Sequence, residues 1–384
     1  MAVISTKTIC RIFVSTLISF GVLVPILAAV LPEDRADVLF HAYDGGGIEI
    51  TGPSVLFRKL VGSSNSFSAN YYIDSISSAS IDVITSASPY EEKRIEKSIG
   101  IDHMHDKTTM SMSYTTSIEN DYDAKTAGLN ISQEIFGDLT TVSLGYSRGW
   151  DQVGKRNDVL FSEDIDRHSY RVGVSQILTK DMLVGFNYET ITDEGFLNNP
   201  YRSVRYLDAA SSTGYSFESE RYPRTRTSNA ISVMSQYYLP YRASIKGEYR
   251  FFNDSWGIDA HSIGFVYTHP WRESWLFDIS YRYYTQTHAD FYNDLFPHQQ
   301  AQNFLARDKE LSTFSNQTFG LGVSYDIPVM RWSYLDKGSV SLVYDYIQFD
   351  YDDFRNIKVS AVPGDEPLYS FSANTVQVFV SLWY

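Results

Sequence analysis

Apolar and polar positions alternate with a period of two along most of this chain, and no helical period intervenes after the first thirty residues. On Thr141–Trp150, Val142, Leu144 and Tyr146 face one way and Ser143, Gly145 and Ser147 the other. On Ser169–Leu178, Tyr170, Val172 and Val174 oppose Arg171, Gly173 and Ser175. On Arg242–Phe252, Ala243, Ile245, Tyr249 and Phe251 oppose Lys246, Glu248 and Arg250. Trp275–Tyr284 sets Trp275, Phe277, Ile279, Tyr281 and Tyr283 against Asp278, Ser280 and Arg282. Thr318–Ile327 sets Phe319, Leu321, Val323 and Tyr325 against Gly320, Gly322, Ser324 and Asp326. One face is aromatic and aliphatic, the other small, polar or charged. A soluble sandwich would not turn charges toward its core. A membrane barrel does, because water fills its lumen and lipid covers its outside.

The connections alternate in length. Phe136–Asp138, Thr179–Asp181, Pro240-Tyr241, Pro270–Ser274 and Pro328–Lys337 are short; Asp151–His168, Asp193–Thr225, His288–Ser312 and Asp352–Ser370 are long. Short periplasmic turns and long outer loops are the habit of outer-membrane barrels. Walking back from a periplasmic C-terminus puts every long connection outside. The strands Ile48–Leu60 and Ser66–Ser78 would then begin the barrel on the wrong side, so one more strand is required. Asp37–Asp44 supplies it, with Gly45-Gly46-Gly47 as the turn. The fold class is therefore all-β: a single antiparallel transmembrane β-barrel of about 16 strands. Proline lacks the ladder N–H, and only Pro53 falls inside a proposed strand; an irregular first hairpin or a bulge would accommodate it.

The N-terminus reads as a secretory signal. Lys7 and Arg11 flank an apolar run from Ile12 to Ala29, and Ala28-Ala29 are small enough for cleavage. The expected division is a signal peptide at 1–29, a periplasmic lead-in at 30–36 and the barrel at 37–384. Cys10, the sole cysteine, precedes the apolar run. The mature chain then has no thiolate for a disulfide, a zinc site or a nucleophile. The 46 Asp plus Glu against 32 Lys plus Arg argue against a nucleic-acid partner. The 29 Tyr, 23 Phe and 6 Trp suit aromatic girdles at two membrane interfaces. At the C-terminus, Val380, Leu382 and Tyr384 complete an alternating strand with a terminal aromatic, the kind of signal read by barrel-insertion machinery.

Several motifs invite chemistry. Gly145-Tyr146-Ser147-Arg148-Gly149 has the spacing of a hydrolase nucleophile elbow but lies inside a strand, where that elbow cannot form. His103 and His105 would share a strand face and give half a metal site at best. Acidic residues at Asp345, Asp350, Asp352 and Asp353, and at Glu119, Asp121 and Asp123, match no calcium loop; solvation, or ion bridging to lipopolysaccharide, explains them. Arg202, Arg205, Arg224 and Arg226 form a cationic cluster in the longest loop. They would either meet lipopolysaccharide phosphates or fold inward to constrict the lumen, pairing with Glu189, Glu248, Asp278 and Asp326; Arg250 and Arg282 complete the lumen candidates. No catalytic, metal-binding or cofactor-binding residue is expected.

The chain also resembles a Gram-negative family, the domain of unknown function numbered 3570. The resemblance rests on Leu31–Asp37 (LPEDRAD), Ser77–Val83 (SSASIDV), His105–Ser111 (HDKTTMS), Phe136–Thr141 (FGDLTT), Gly145–Asp151 (GYSRGWD), Glu189–Tyr206 (ETITDEGFLNNPYRSVRY), Tyr222–Asn229 (YPRTRTSN), Asn303–Phe314 (NFLARDKELSTF) and Phe349–Arg355 (FDYDDFR). It implies an outer-membrane barrel without an assigned activity. Genes for a small lipoprotein, a thioredoxin-like protein and a flavin-transferring enzyme often neighbour the family's, which implies envelope partners of that kind. The expected function is a channel or transport component with a polar, charged lumen. The alternatives are a docking barrel for an envelope complex, with Asp193–Thr225 and His288–Ser312 as its surface, and an outer-membrane hydrolase.

Overall fold

The computed structural model describes residues 30–78, 90–156, 158–328, 334–359 and 361–384. The proposed signal peptide lies outside the described residues. Sixteen antiparallel strands close into one barrel. In chain order they are β1 (Arg35–Gly45), β2 (Ile48–Val61), β3 (Asn65–Ser78), β4 (Tyr90–His105), β5 (Thr108–Ile118), β6 (Tyr122–Ile135), β7 (Thr140–Lys155), β8 (Asp158–Thr179) and β9 (Met182–Gly195). Then come β12 (Thr225–Tyr238), β13 (Ser244–Asp254), β14 (Asp259–Trp271), β15 (Trp275–Gln286), β16 (Phe314–Ile327), β17 (Lys337–Arg355) and β18 (Leu368–Trp383). Two short strands, β10 (Ser203–Leu207) and β11 (Tyr215–Ser219), pair with each other in the connection between β9 and β12, and Tyr206 of β10 also bridges Phe296.

The strand that parity demanded is present and closes the ring. β1 pairs with β18 from Arg35↔Trp383 to Gly45↔Ala373, and with β2 from Arg35↔Arg58 to Gly45↔Ile48. Pro53 lies within β2, opposite Phe40 of β1. The β2–β3 ladder runs from Thr51↔Ser75 to Ser54↔Tyr72 and omits Gly52 and Pro53. Proline has no N–H to give there. A Cβ on Gly52 would overlap the Ile73 carbonyl, so only glycine lets the two backbones come this close.

One expected loop is a correction. Asp151–His168 is not a long connection: β7 continues to Lys155 and β8 begins at Asp158, so the strands pair on beyond the membrane. Residues read as loop there belong to the hairpin: Asp166 of β8 pairs with Arg148 of β7 at 2.8 Å on the outer face, while Asp151, Val153 and Ile165 are buried on the inner one. Pro270, read as part of a turn, is the penultimate residue of β14.

The alternation sorts the two faces as expected. Ile99, Met112, Ile279 and Leu321 stand outward and more than half exposed, which in this fold means against lipid. Aromatic pairs mark both rims: Trp275 with Tyr325 at 4.7 Å near the periplasmic ends, and Tyr114 with Trp150 at 6.4 Å on the outer halves. Val380 and Leu382 of the C-terminal strand sit opposite Val38 and Ala36, and the Tyr384 hydroxyl donates to the Arg58 carbonyl at 3.0 Å.

Leu321→Arg places a charge on the lipid face and is expected to cost about 2–4 kcal/mol, whereas Ser324→Arg, on the water-filled side of the same strand, costs little. Unfolding midpoints in lipid vesicles, read by heat-modifiable gel migration, check the asymmetry.

Candidate functional site: a strap across the outer mouth

The polar face builds a charged lumen. Arg171 on β8 bonds Glu189 on β9 at 2.6 Å, and Arg250 on β13 approaches the same carboxylate at 3.8 Å. Glu248 lies 3.7 Å from Lys246, and Asp278 accepts from the Thr268 hydroxyl at 2.5 Å. Arg282 projects inward from β15 by the same alternation, near the level of Gly320 of β16. A Cβ on Gly320 would collide with Ser280 and Asp345, so the glycine makes room for the Asp345 carboxylate. Asp326 sits at the periplasmic edge, its amide bonded to the Ser274 carbonyl at 2.8 Å.

Above this lumen the connection 196–224 crosses the mouth as a strap. At one end the Tyr201 hydroxyl bonds Asp121, between β5 and β6, and Lys155 of β7 lies 5.9 Å over its ring. Four residues on, Arg205 bonds Glu366, between β17 and β18, at 2.5 Å. β6 and β17 are nine steps apart one way round the barrel and seven the other, so the strap is anchored on nearly opposite walls. The connection 287–313, which holds a 3-10 turn at Lys309–Leu311, lies beneath it. Leu207 N donates to Phe296 O at 2.9 Å and Arg221 N to Leu305 O at 3.0 Å. Val204, Phe296 and Leu305 pack together with no exposure at all. A larger apolar cluster, including Trp256, Phe291, Phe314, Phe349 and Phe354, seats the cap on the inner wall of the barrel's outer half.

The cap's charges are buried with it. Arg205 grips Asp294 as well as Glu366 and is wholly enclosed. Arg307 reaches Asp294 at 3.0 Å and stacks over Phe354 at 4.6 Å. Arg202 pairs with Asp308 at 2.5 Å, and Lys309 lies 3.6 Å from Glu310. Glu220 accepts from Arg307 N at 2.8 Å and from the Tyr222 hydroxyl at 2.7 Å. Four cations thus face five carboxylates: Asp294, Asp308, Glu310, Glu366 and Glu220. Burial pushes the Glu220 carboxyl up to about 7, with Arg202 opposing and Asp308 adding to the shift. A proton on Glu220 would make the set neutral.

The four loop arginines therefore divide. Arg202 and Arg205 are buried in the strap. Arg226 lies on the rim, bound to Asp254 at 2.5 Å and over Trp256 at 4.5 Å. Arg224 is exposed and reaches Glu163 at 2.6 Å. Their ion pairs run to Asp308, Asp294, Glu366, Glu163 and Asp254 rather than to the expected lumen carboxylates. Those carboxylates lie deeper on the strands, while the strap stays at the mouth and is met by carboxylates of other loops. The missed partners, Asp294, Asp308 and Glu366, stand in long connections and are not singled out by any motif. The available signal was the close interleaving of opposite charges in Arg307-Asp308-Lys309-Glu310.

The remaining motifs are structural. Gly145–Gly149 lie in the interior of β7, with no turn or helix to raise a nucleophile. His103 bonds Asn65 at 2.9 Å, and His105 is exposed beside the periplasmic turn.

A family profile described as "Protein of unknown function (DUF3570)" matches residues 49–171 and 155–335. No curated protein matches the chain in sequence. Among solved structures, one titled "Bacterial polysaccharide outer membrane secretin" is similar at a TM-score of 0.51 and 9% identity, covering 92% of this chain and 99% of that one. The trimer form of OmpT from Vibrio cholerae is similar at 0.42 and 12%, covering 91% and 98%. The toluene transporter TodX of P. putida is similar at 0.42 and 9%, covering 92% and 91%. At these identities the likeness is one of fold alone.

Because Glu220 binds its proton more tightly when enclosed, cap docking is fully supported below the ordinary carboxylate range. It is expected to weaken as pH rises to about 7, by about 3 kcal/mol in all. Hydrogen exchange across 196–224 at pH 5 and pH 8 measures this. Glu220→Gln is expected to remove the pH dependence, and an unchanged dependence in that variant would exclude Glu220 as its source.

Proposed function

The chain belongs to the DUF3570 family of proteins of unknown function and is an outer-membrane β-barrel of a Gram-negative bacterium, and from that premise we propose that it is a gated channel for polar solutes. The observation that carries the reading is the strap: a folded segment anchored on nearly opposite walls above a lumen of paired charges. A barrel that served only as a scaffold would have no need of a charged interior under a separately folded cover. Sixteen strands enclose more width than side chains alone fill.

The strap is held by buried ion pairs that depend on one another. Removing one member of a buried ion pair leaves the others uncompensated, at about 3–5 kcal/mol. The gate is thus stable when complete and sensitive to the loss of one contact. The docking alternative is less favoured. It placed its binding surface on Asp193–Thr225 and His288–Ser312, and these connections spend Val204, Phe296 and Leu305 on each other.

Planar-bilayer recording tests the channel. The unaltered protein is expected to be mostly closed at pH 5. Arg205→Ala, which strands Asp294 and Glu366, should raise the open fraction at least tenfold, in line with that penalty. A folded barrel whose strap residues 199–221 are replaced by a short Gly-Ser turn should conduct continuously. If that barrel inserts and stays silent, the channel reading fails.

A further inference from the structure

On the lipid face, where β14 and β15 approach the periplasm, Tyr267, His269, Trp271, Phe277 and Ile279 line an open groove of about 330 Å³. That volume is at the low end for a bound small molecule and suits one hydrocarbon chain better than a whole lipid. The wall is almost wholly apolar. Trp271 meets Phe277 edge-on at 6.2 Å. Its polar pair is satisfied internally, the Tyr267 hydroxyl bonding His269 Nδ1 at 2.9 Å.

Two arginines stand in the turns at the periplasmic end. The Arg272 guanidinium stands 4.4 Å over the Trp271 ring. Arg242 follows Tyr241, whose ring lies 6.1 Å from that of His269, so the neighbouring turn abuts the same groove. Both arginines are exposed, and both hold left-handed backbone, with φ of 57° at Arg272 and 69° at Arg242. Among the described residues neither has a carboxylate partner; Glu273, in the same turn, is not paired with Arg272.

We propose that this groove is a binding site for an anionic phospholipid of the periplasmic leaflet. One acyl chain lies along the aromatic wall, and the phosphate rests between Arg242 and Arg272. The chemistry fits at each level. Aromatic rings settle at the boundary between hydrocarbon and headgroup. A guanidinium matches phosphate oxygens bidentately, and a basic pair at headgroup depth selects for anionic lipid. Charge also argues against a second copy of this chain as the occupant, because a two-fold contact would bring like arginines together.

Native mass spectrometry of the full chain in mild detergent, titrated with phosphatidylglycerol, tests the site. One lipid per chain is expected to survive detergent stripping. The Arg242→Gln/Arg272→Gln double variant should retain it at least about tenfold less well, the size of a lost charge-assisted bond. Trp271→Ala should weaken retention of phosphatidylglycerol and phosphatidylcholine alike. Heat-modifiable migration verifies that each variant is folded. Equal retention by all three proteins would reduce the lipid to general annulus and overturn the proposal. A dimer or trimer mass lost on Trp271→Ala would overturn it too, assigning the face to protein association. Neither outcome depends on whether the barrel conducts.

Discussion

Hydrocarbon offers no partner for a backbone N–H or C=O, so every strand of this protein must be hydrogen-bonded on both sides. The seam between β1 and β18 meets that demand for the whole ring, through eleven consecutive residue pairs. Without β1, both β2 and β18 would present open edges to lipid. The even strand number follows from this closure, because antiparallel neighbours must alternate in direction all the way round the ring. So does the tolerance for Gly52 and Pro53. The β2–β3 ladder can skip two residues there because proline has no donor and glycine lets the carbonyl of Ile73 approach.

Closure also decides what lies inside. A barrel of this width cannot fill its lumen with its own strand side chains. The inner half is left polar, with ion pairs between strands, as Glu189 of β9 makes to Arg171 of the adjacent β8 and, across β12, to Arg250 of β13. The outer half is filled instead by loops that fold back over the mouth. Their apolar residues pack on the inward positions of β1, β2, β16 and β17, where Tyr43, Ile48, Ile50, Phe314, Ile347 and Phe349 replace the polar pattern found deeper down. The switch from polar to apolar along the same inward face marks where the cap begins.

The cap buries its ions almost completely, an arrangement that is costly unless each charge has partners. Here the partners come from three connections at once. Asp294 alone is shared by Arg205 and Arg307, while Glu366 also receives the amide of Gly364 and its carbonyl receives Arg355. Such sharing makes docking cooperative, because the strap cannot leave without stranding charges in the layer beneath. Glu220, pushed up by its burial, is the member whose charge varies near neutrality. The cap's stability and the state of that one proton are therefore linked.

The sequence by itself determined the barrel. Alternation along each strand follows from lipid on one side and water on the other, a local signal that needs no knowledge of neighbours. Loop parity even required a strand at Asp37–Asp44, and β1 stands there with two more residues at its start and one at its end. What the sequence left open was whatever depends on residues far apart in the chain. The loop arginines were legible as a cluster, but Arg205 finds its carboxylates 89 and 161 residues away. No periodicity records such a pairing, since only the closed ring brings those loops over one mouth. The extension of β7 and β8 was hidden for a related reason: Asp151 shares the buried inward face with Val153 because the Tyr122 hydroxyl of the neighbouring β6 bonds its carboxylate, so burial alternates along β7 where hydropathy does not. The tertiary structure alone decided that the longest loop is a strap, because ring closure fixes which walls its two anchors stand on.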